Sequence, residues 1–223
     1  MSWPNTAEDL AREQDRLGRA AVDPWDPGAG AQRVGACAVV FGWDGGDGTG
    51  WAAAVVFEAG ERVAVSSAVS RVGSPFRSGL LALREGPPLE AAVRALSVLP
   101  DVLLVAAAGR DHPRGAGLAL HLGAILGVPT VGVTDGPLVA SGGGPAPSRG
   151  SLSALVREGE VVAFRVRTRT GAEPVVAHAA FRTSPEVAAR LVLSTASQAR
   201  WPEPLREARR LARQLRAGHS PGR

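Results

Sequence analysis

Apolar and polar positions along the chain follow two periods, and each predicts its own element type. Residues 7–21 set Leu10, Leu17, Ala20 and Ala21 among charges, the spacing of an amphipathic helix. Residues 23–31 are a Pro/Gly-rich connector. Residues 34–41 are continuously apolar and β-rich, as a buried strand is. The Gly/Asp-rich stretch 42–50 and the apolar run 51–58 complete a hairpin, and the Val/Ser-rich run 62–72 predicts a third strand. In residues 80–99 the pair Pro87-Pro88 predicts a short turn or helix, then a helix over 89–99. A central strand follows at 101–107, a Gly/Ala/Leu helix at 115–126 and a short buried strand at 129–133. The run 141–150 (SGGGPAPSRG) predicts a flexible loop, residues 161–168 and 174–180 a hairpin, and residues 184–199 and 203–217 two closing helices.

A meander that feeds parallel strands covered by helices makes a mixed sheet with helices on both faces. That order fits an α/β architecture of the ribonuclease H-like kind, whose catalytic carboxylates gather at the centre of the sheet. The expectation is one domain over 1–223, with helix and connector at 1–30 and a disordered tail at 218–223. With 223 residues and 45% of them hydrophobic, the chain can bury a proper core. It has no apolar run of about eighteen residues, which argues against a membrane span. Its first residues are polar and acidic, unlike a secretory signal. A lone Cys37 excludes an internal disulfide framework, so a cytoplasmic location is expected.

Charge changes this picture only slightly. All 25 basic residues are Arg, and the net charge is +4. A coding bias toward Arg, Ala, Gly and Pro is the simplest cause. The functional alternative is a phosphate-binding surface, because guanidinium grips phosphate in a bidentate way. Much of the positive charge lies in residues 200–223, where a solvated helix face is the plain alternative.

Four segments carry a resemblance. Pro75-Phe76-Arg77-Ser78-Gly79-Leu80-Leu81-Ala82-Leu83-Arg84-Glu85 is similar to P-Y-I-P-G-x-L-x-x-R-E. The strand from Pro100 to Val105 leads into Gly109-Arg110-Asp111-His112-Pro113-Arg114, similar to D-G-x-G-x-x-H-P-R. Val128-Pro129-Thr130-Val131-Gly132-Val133 is similar to V-P-T-I-G-V, and Arg200-Trp201-Pro202-Glu203-Pro204 to R-x-P-E-P. Taken in order, the four resemble the endonuclease V family, nucleases of deaminated purines, over residues 5–215. The resemblance implies cleavage of the second phosphodiester 3′ to deoxyinosine by carboxylate-held Mg²⁺, which activates water and stabilises phosphate charge. It implies a monomer with nucleic acid, deaminated DNA or RNA, as partner and no membrane association.

The resemblance also implies where the machinery should be, and there the chain departs from it. Glu85, a metal ligand in the family, and His112 are kept. Cys37 stands in place of the family's first Asp, Ala106 in place of the second, Asp135 in place of a Lys, and Phe181 in place of a late His. Mg²⁺ wants oxygen donors, a methyl offers none, and a thiol suits zinc better. The expected function is therefore a nucleic-acid-binding family member with metal-dependent cleavage lost or strongly impaired. The alternative is an active Mg²⁺ endonuclease that uses displaced ligands, Asp44, Asp47 or Asp111.

Each candidate has a plain counterpart. Glu85 is a relic ligand or a helix-start carboxylate, and His112 a phosphate or substrate contact or a loop histidine. Cys37 is a buried core residue, or one corner of a zinc site with Glu85 and His112. Phe76 falls at the family's Tyr wedge and keeps the ring that stacking needs. Leu81, Gly79, Gly109, Arg114 and Gly117 match positions near the family's base pocket. The glycines serve equally well as tight turns and close packing points. Asp111 pairs with His112 or Arg114 in the sequence reading.

Overall fold

A computed structural model describes residues 2–28, 32–42, 48–71, 80–197 and 199–219. The first helix, α1 (Ala7–Arg19), is capped by Thr6, whose hydroxyl accepts the Asp9 N–H. Acidic Glu8 and Asp9 lie in its first turn and Arg16 and Arg19 in its last, as the helix dipole favours. Three strands follow as a meander: β1 (Val34–Phe41), β2 (Thr49–Glu58) and β3 (Glu61–Arg71). Then come α2 (Leu81–Arg94), β4 (Val102–Val105), α3 (Leu118–Leu126) and β5 (Thr130–Thr134). The chain continues with β6 (Leu152–Arg157), β7 (Glu160–Val166), β8 (Val175–Ala179), α4 (Pro185–Thr195) and α5 (Glu203–His219).

The eight strands form one sheet in the order β3-β2-β1-β4-β5-β8-β7-β6. Only β1–β4 and β4–β5 run parallel. Strand alternation sorts side chains between two cores. Cys37, Leu103 and Val105 face a core shared with Leu10 of α1, Leu89 of α2 and Leu120 of α3. Ala36, Ala38 and Leu104 face a second core with Val192 of α4 and Leu205 of α5. The register Cys37↔Val105 brings the carboxyl ends of β1 and β4 together at mid-sheet. Ligands gather at such strand ends in open α/β sheets.

The structure departs from the sequence reading in four places. First, α2 runs unbroken through Pro87-Pro88. Proline's fixed φ is itself helical, and the residue before Pro87 is Gly86, which has no Cβ to crowd the ring. The Trp3 ring lies over Gly86 so closely that an added Cβ would sit 2.4 Å from it. Second, β6 was not anticipated. It is a sheet edge with exposed Leu152 and one fully buried residue, Leu155, so it lacks a clean alternation. Third, the loop at 141–150 is tied down. Arg167 donates to the carbonyls of Pro145 (3.1 Å) and Ala146 (3.2 Å), and the Ser153 hydroxyl donates to Gly143 (2.8 Å). Fourth, Gly218 and His219 extend α5 rather than starting a tail, while 220–223 lie outside the described residues. Among the described residues, no helix is long and apolar enough to cross a membrane.

Candidate active-site cleft

The ends of β1 and β4, together with α2 and α5, enclose a cleft of about 190 Å³. Cys37 and Val39, Glu85 and Leu89, Val105 and Ala106, and Arg209 line it. Glu85 reaches it from the first turns of α2. Burial pushes its carboxyl up to about 7, with Arg84 and Arg209 pulling partly the other way. Cys37 is buried on β1, and burial, with the nearby Glu85 charge adding, drives its thiol far up from the ordinary value. It is a neutral thiol, not a ligating thiolate.

Arg209 comes from the opposite face of the sheet. Its guanidinium stacks over the Trp201 ring at 4.1 Å, a cation–π contact that fixes the group. Burial lowers its pKa, Arg213 adds to that, and Asp135 and Glu85 oppose it. Guanidinium stays charged in such surroundings. Among the described residues the cleft thus offers one carboxylate, one neutral thiol, one methyl and one fixed cation. Mg²⁺ needs several oxygen donors, and these residues do not fit it. Among the described residues no group of three His, Cys, Asp or Glu could hold a metal.

Ala106 also belongs to a second cavity, of about 210 Å³, on the other side of it. Leu81, Ala82, His112, Gly117, Thr134 and Gln14 are among its lining residues, with the loop at Gly136, Pro137 and Leu138 as one wall. That volume is below the roughly 300–1,000 Å³ of pockets for drug-sized ligands, so it takes a single ring system rather than a whole nucleotide. Gly117 caps α3, and a Cβ there would lie 2.3 Å from the Ala108 carbonyl oxygen. His112 is buried, and its Nδ1 accepts the Arg114 N–H at 3.2 Å.

The far wall is held by Asp111. Its carboxylate is fully buried and accepts three backbone N–H groups, from Leu138 (2.7 Å), Val139 (2.8 Å) and Ala140 (2.7 Å). His178 lies behind it, its Nδ1 3.6 Å from the carboxylate, too long for a hydrogen bond. Burial pushes His178 down to about 4, with the Asp111 charge pulling partly back. Its Nε2 lies 2.7 Å from the Thr134 hydroxyl, which donates to the Gly136 carbonyl at 2.6 Å.

The structure brings some sequence candidates together and separates others. Cys37, Glu85 and Ala106 share the cleft, and Leu81, His112 and Gly117 share the adjoining pocket. A zinc site from Cys37, Glu85 and His112 is therefore split across two cavities. Phe181 does not line the cleft: its N–H donates to Thr130 Oγ1 at 3.1 Å, and it packs against Gly123 of α3. The fourth side chain at the cleft is Arg209. Asp135 is exposed and paired with Arg200 at 2.6 Å, so its reversed charge is met locally. Gly109 is a packing point, since a Cβ there would lie 2.2 Å from the Ala179 carbonyl oxygen. The Arg114 side chain turns toward Asp15 of α1, 3.9 Å away. Asp111 pairs with neither His112 nor Arg114 by a hydrogen bond but with residues 138–140. Phe76, Gly79, Asp44 and Asp47 lie outside the described residues.

Two lining residues escaped the sequence reading, and both carry the same signal. On α1, Gln14 sits in the buried stripe Leu10, Gln14, Leu17. On α5, Arg209 follows the buried Leu205 and Ala208 and precedes Ala212, so it occupies a stripe position. A polar residue on the apolar face of an amphipathic helix marks a place where the core opens onto a cavity.

A family model described as endonuclease V matches residues 21–210. An endonuclease V from Streptomyces coelicolor is 38% identical over 214 residues, covering 95% of this chain and 91% of the relative. The crystal structure of the Streptomyces avermitilis endonuclease V is 35% identical with a TM-score of 0.89, covering 99% of this chain and 97% of that one. A Ciona intestinalis endonuclease V, solved with a 24mer DNA containing an inosine followed by a ribo-adenosine, shares the fold at a TM-score of 0.80 and 20% identity, with 95% and 98% of the two chains covered.

Proposed function

The chain belongs to the endonuclease V family, and on that premise we propose that it is a nucleic-acid-binding member whose metal-dependent phosphodiester cleavage is lost or strongly impaired. One observation carries the proposal: among the described residues, the lone carboxylate of the cleft, Glu85, is flanked by Cys37 and Ala106 and faced by the guanidinium of Arg209. Mg²⁺ brought there would meet one oxygen donor and a fixed positive charge. The metal supplies the activated water and the phosphate charge stabilisation of such a reaction, so its loss removes the chemistry and leaves the scaffold.

The adjoining pocket supports retained binding of deaminated DNA or RNA. An extruded base needs a close cavity with polar groups on its edge, and small residues at Ala82, Ala106 and Gly117 leave room beside His112 and Thr134. The protein acts as a cytoplasmic monomer in this reading. Of the displaced ligands that would rescue catalysis, Asp111 is already committed to three backbone amides.

End-labelled DNA and RNA strands carrying one deoxyinosine or inosine, incubated with purified protein and Mg²⁺ or Mn²⁺, test this. The expected result is no nicking above the protein-free control. Nicking that disappears in Glu85→Gln would overturn the reading and assign catalysis to ligands outside the described residues.

A further inference from the structure

We propose that the cleft beside Glu85 is an anion site, in which Arg209 grips a phosphodiester of the nucleic-acid backbone directly, with no metal between them. The proposal deepens the reading above and rests on it for the class of ligand. Three observations carry it.

The first is the state of Arg209. Its ring contact with Trp201 uses the face of the guanidinium. The N–H donors lie in the plane of the group and remain available for an oxyanion. Among the described residues the guanidinium makes no hydrogen bond or ion pair; besides the stacking, the charges of Asp135 and Glu85 act on it from nearby. The second is continuity. Arg209 lines both the cleft and a groove of about 710 Å³ along α5. Of the five arginines of that groove, Arg200, Arg206 and Arg210 are paired with Asp135, Glu203 and Glu207, while Arg209 and Arg213 form no ion pair among the described residues. A strand following that groove arrives at the cleft from its open, positive side. The third is adjacency. Cleft and pocket meet at Ala106, so a base in the pocket would set a neighbouring phosphate at the cleft.

The charges around the site agree. Among the described residues Glu85 is the one carboxylate in the cleft, and Arg84 and Arg209 both act on it. Asp135, the other acid near Arg209, is paired with Arg200. A cleft of about 190 Å³ has room for a phosphate group.

Fluorescence anisotropy with a single-stranded oligonucleotide containing one deoxyinosine, in EDTA and over a salt series, tests the proposal. The wild-type protein is expected to bind without metal, and Mg²⁺ to bring no gain. Arg209→Gln should weaken binding by about tenfold or more, the scale of a charge-assisted hydrogen bond. It should also lower the salt slope by about 0.7, the share of one phosphate contact to single strands. Arg209→Lys should keep the slope, since the charge remains. Arg190→Gln, on an exposed face of α4, should change neither. Thermal melts of each variant confirm that it is folded. A folded Arg209→Gln protein that binds like wild type overturns the proposal, as does wild-type binding that needs Mg²⁺. The first leaves the proposed function standing, because that reading depends on nicking and not on Arg209; the second counts against that reading as well, since it excludes a metal held at the cleft. Inorganic phosphate should compete only weakly, and equally strong competition by phosphate and oligonucleotide would overturn the backbone assignment.

Discussion

Asp111→Ala is expected to destabilise the protein by about 3–5 kcal/mol, the range for removing one partner of a buried charged network. The carboxylate is fully buried and makes three charge-assisted hydrogen bonds, each shorter than 2.9 Å, to consecutive amides of residues 138–140. Deleting it orphans those amides and leaves His178 facing a void. The loop forms a pocket wall, so ligand binding should weaken beyond the loss of global stability. Asp111→Asn keeps one acceptor oxygen and should cost roughly half as much. Urea denaturation of the three proteins measures this, and a change under about 1 kcal/mol for alanine would show that the loop is held by something else.

Glu85→Gln is expected to act in the opposite direction and only at higher pH. The carboxyl is held at about 7 in the fold against an ordinary 4.5, because burial disfavours its charged form. Below 4.5 it is protonated in folded and unfolded chains alike. Between 4.5 and 7 the folded chain holds the extra proton, so stability falls as pH rises through that window. Above 7 the charge is fully present and its cost is constant. The amide never ionises, so the variant should exceed wild type by about 3 kcal/mol at pH 8 and match it near pH 4. Thermal or urea melts at those two values decide it. Equal or lower stability of the variant at pH 8 would mean that the carboxylate has a compensating partner in solution.

Much of the fold was legible because its signals are local. The apolar run at 34–41 and the short run before Ala106 became the parallel pair β1 and β4 at mid-sheet. The alternation of Ala36, Cys37 and Ala38 between two cores follows from strand geometry. The continuous α2 was not legible, because the Trp3 ring covering Gly86 is 83 positions away in the chain. Edge strand β6 was not legible either, since an edge faces solvent on more than one side.

The site divides in the same way. Cys37, Glu85 and Ala106 were placed by the resemblance to the endonuclease V family, whose site positions fall on particular strands and helices of this chain. Arg209 was missed because residues 200–223 read as a solvated basic face, and its one signal, a place in the stripe of Leu205, Ala208 and Ala212, is masked by the run of arginines around it. Asp111 was read beside its sequence neighbours, whereas its amide partners lie 27–29 residues further on. Phe181 illustrates the converse. The resemblance sets it where the family has a late His, yet its N–H bonds Thr130 Oγ1 and it packs on the α3 side, away from the cleft.

Manganese binding in solution, measured by the loss of free Mn²⁺ signal in electron paramagnetic resonance at neutral pH, tests the central claim most directly. It reads the cleft without a nucleic acid and without turnover. With one carboxylate, a neutral thiol and the Arg209 cation at the cleft, the predicted result is no stoichiometric binding, and no difference between wild type and Glu85→Gln. Saturable binding of one or two Mn²⁺ per chain that is lost in Glu85→Gln would contradict the account and restore the cleft as a metal centre.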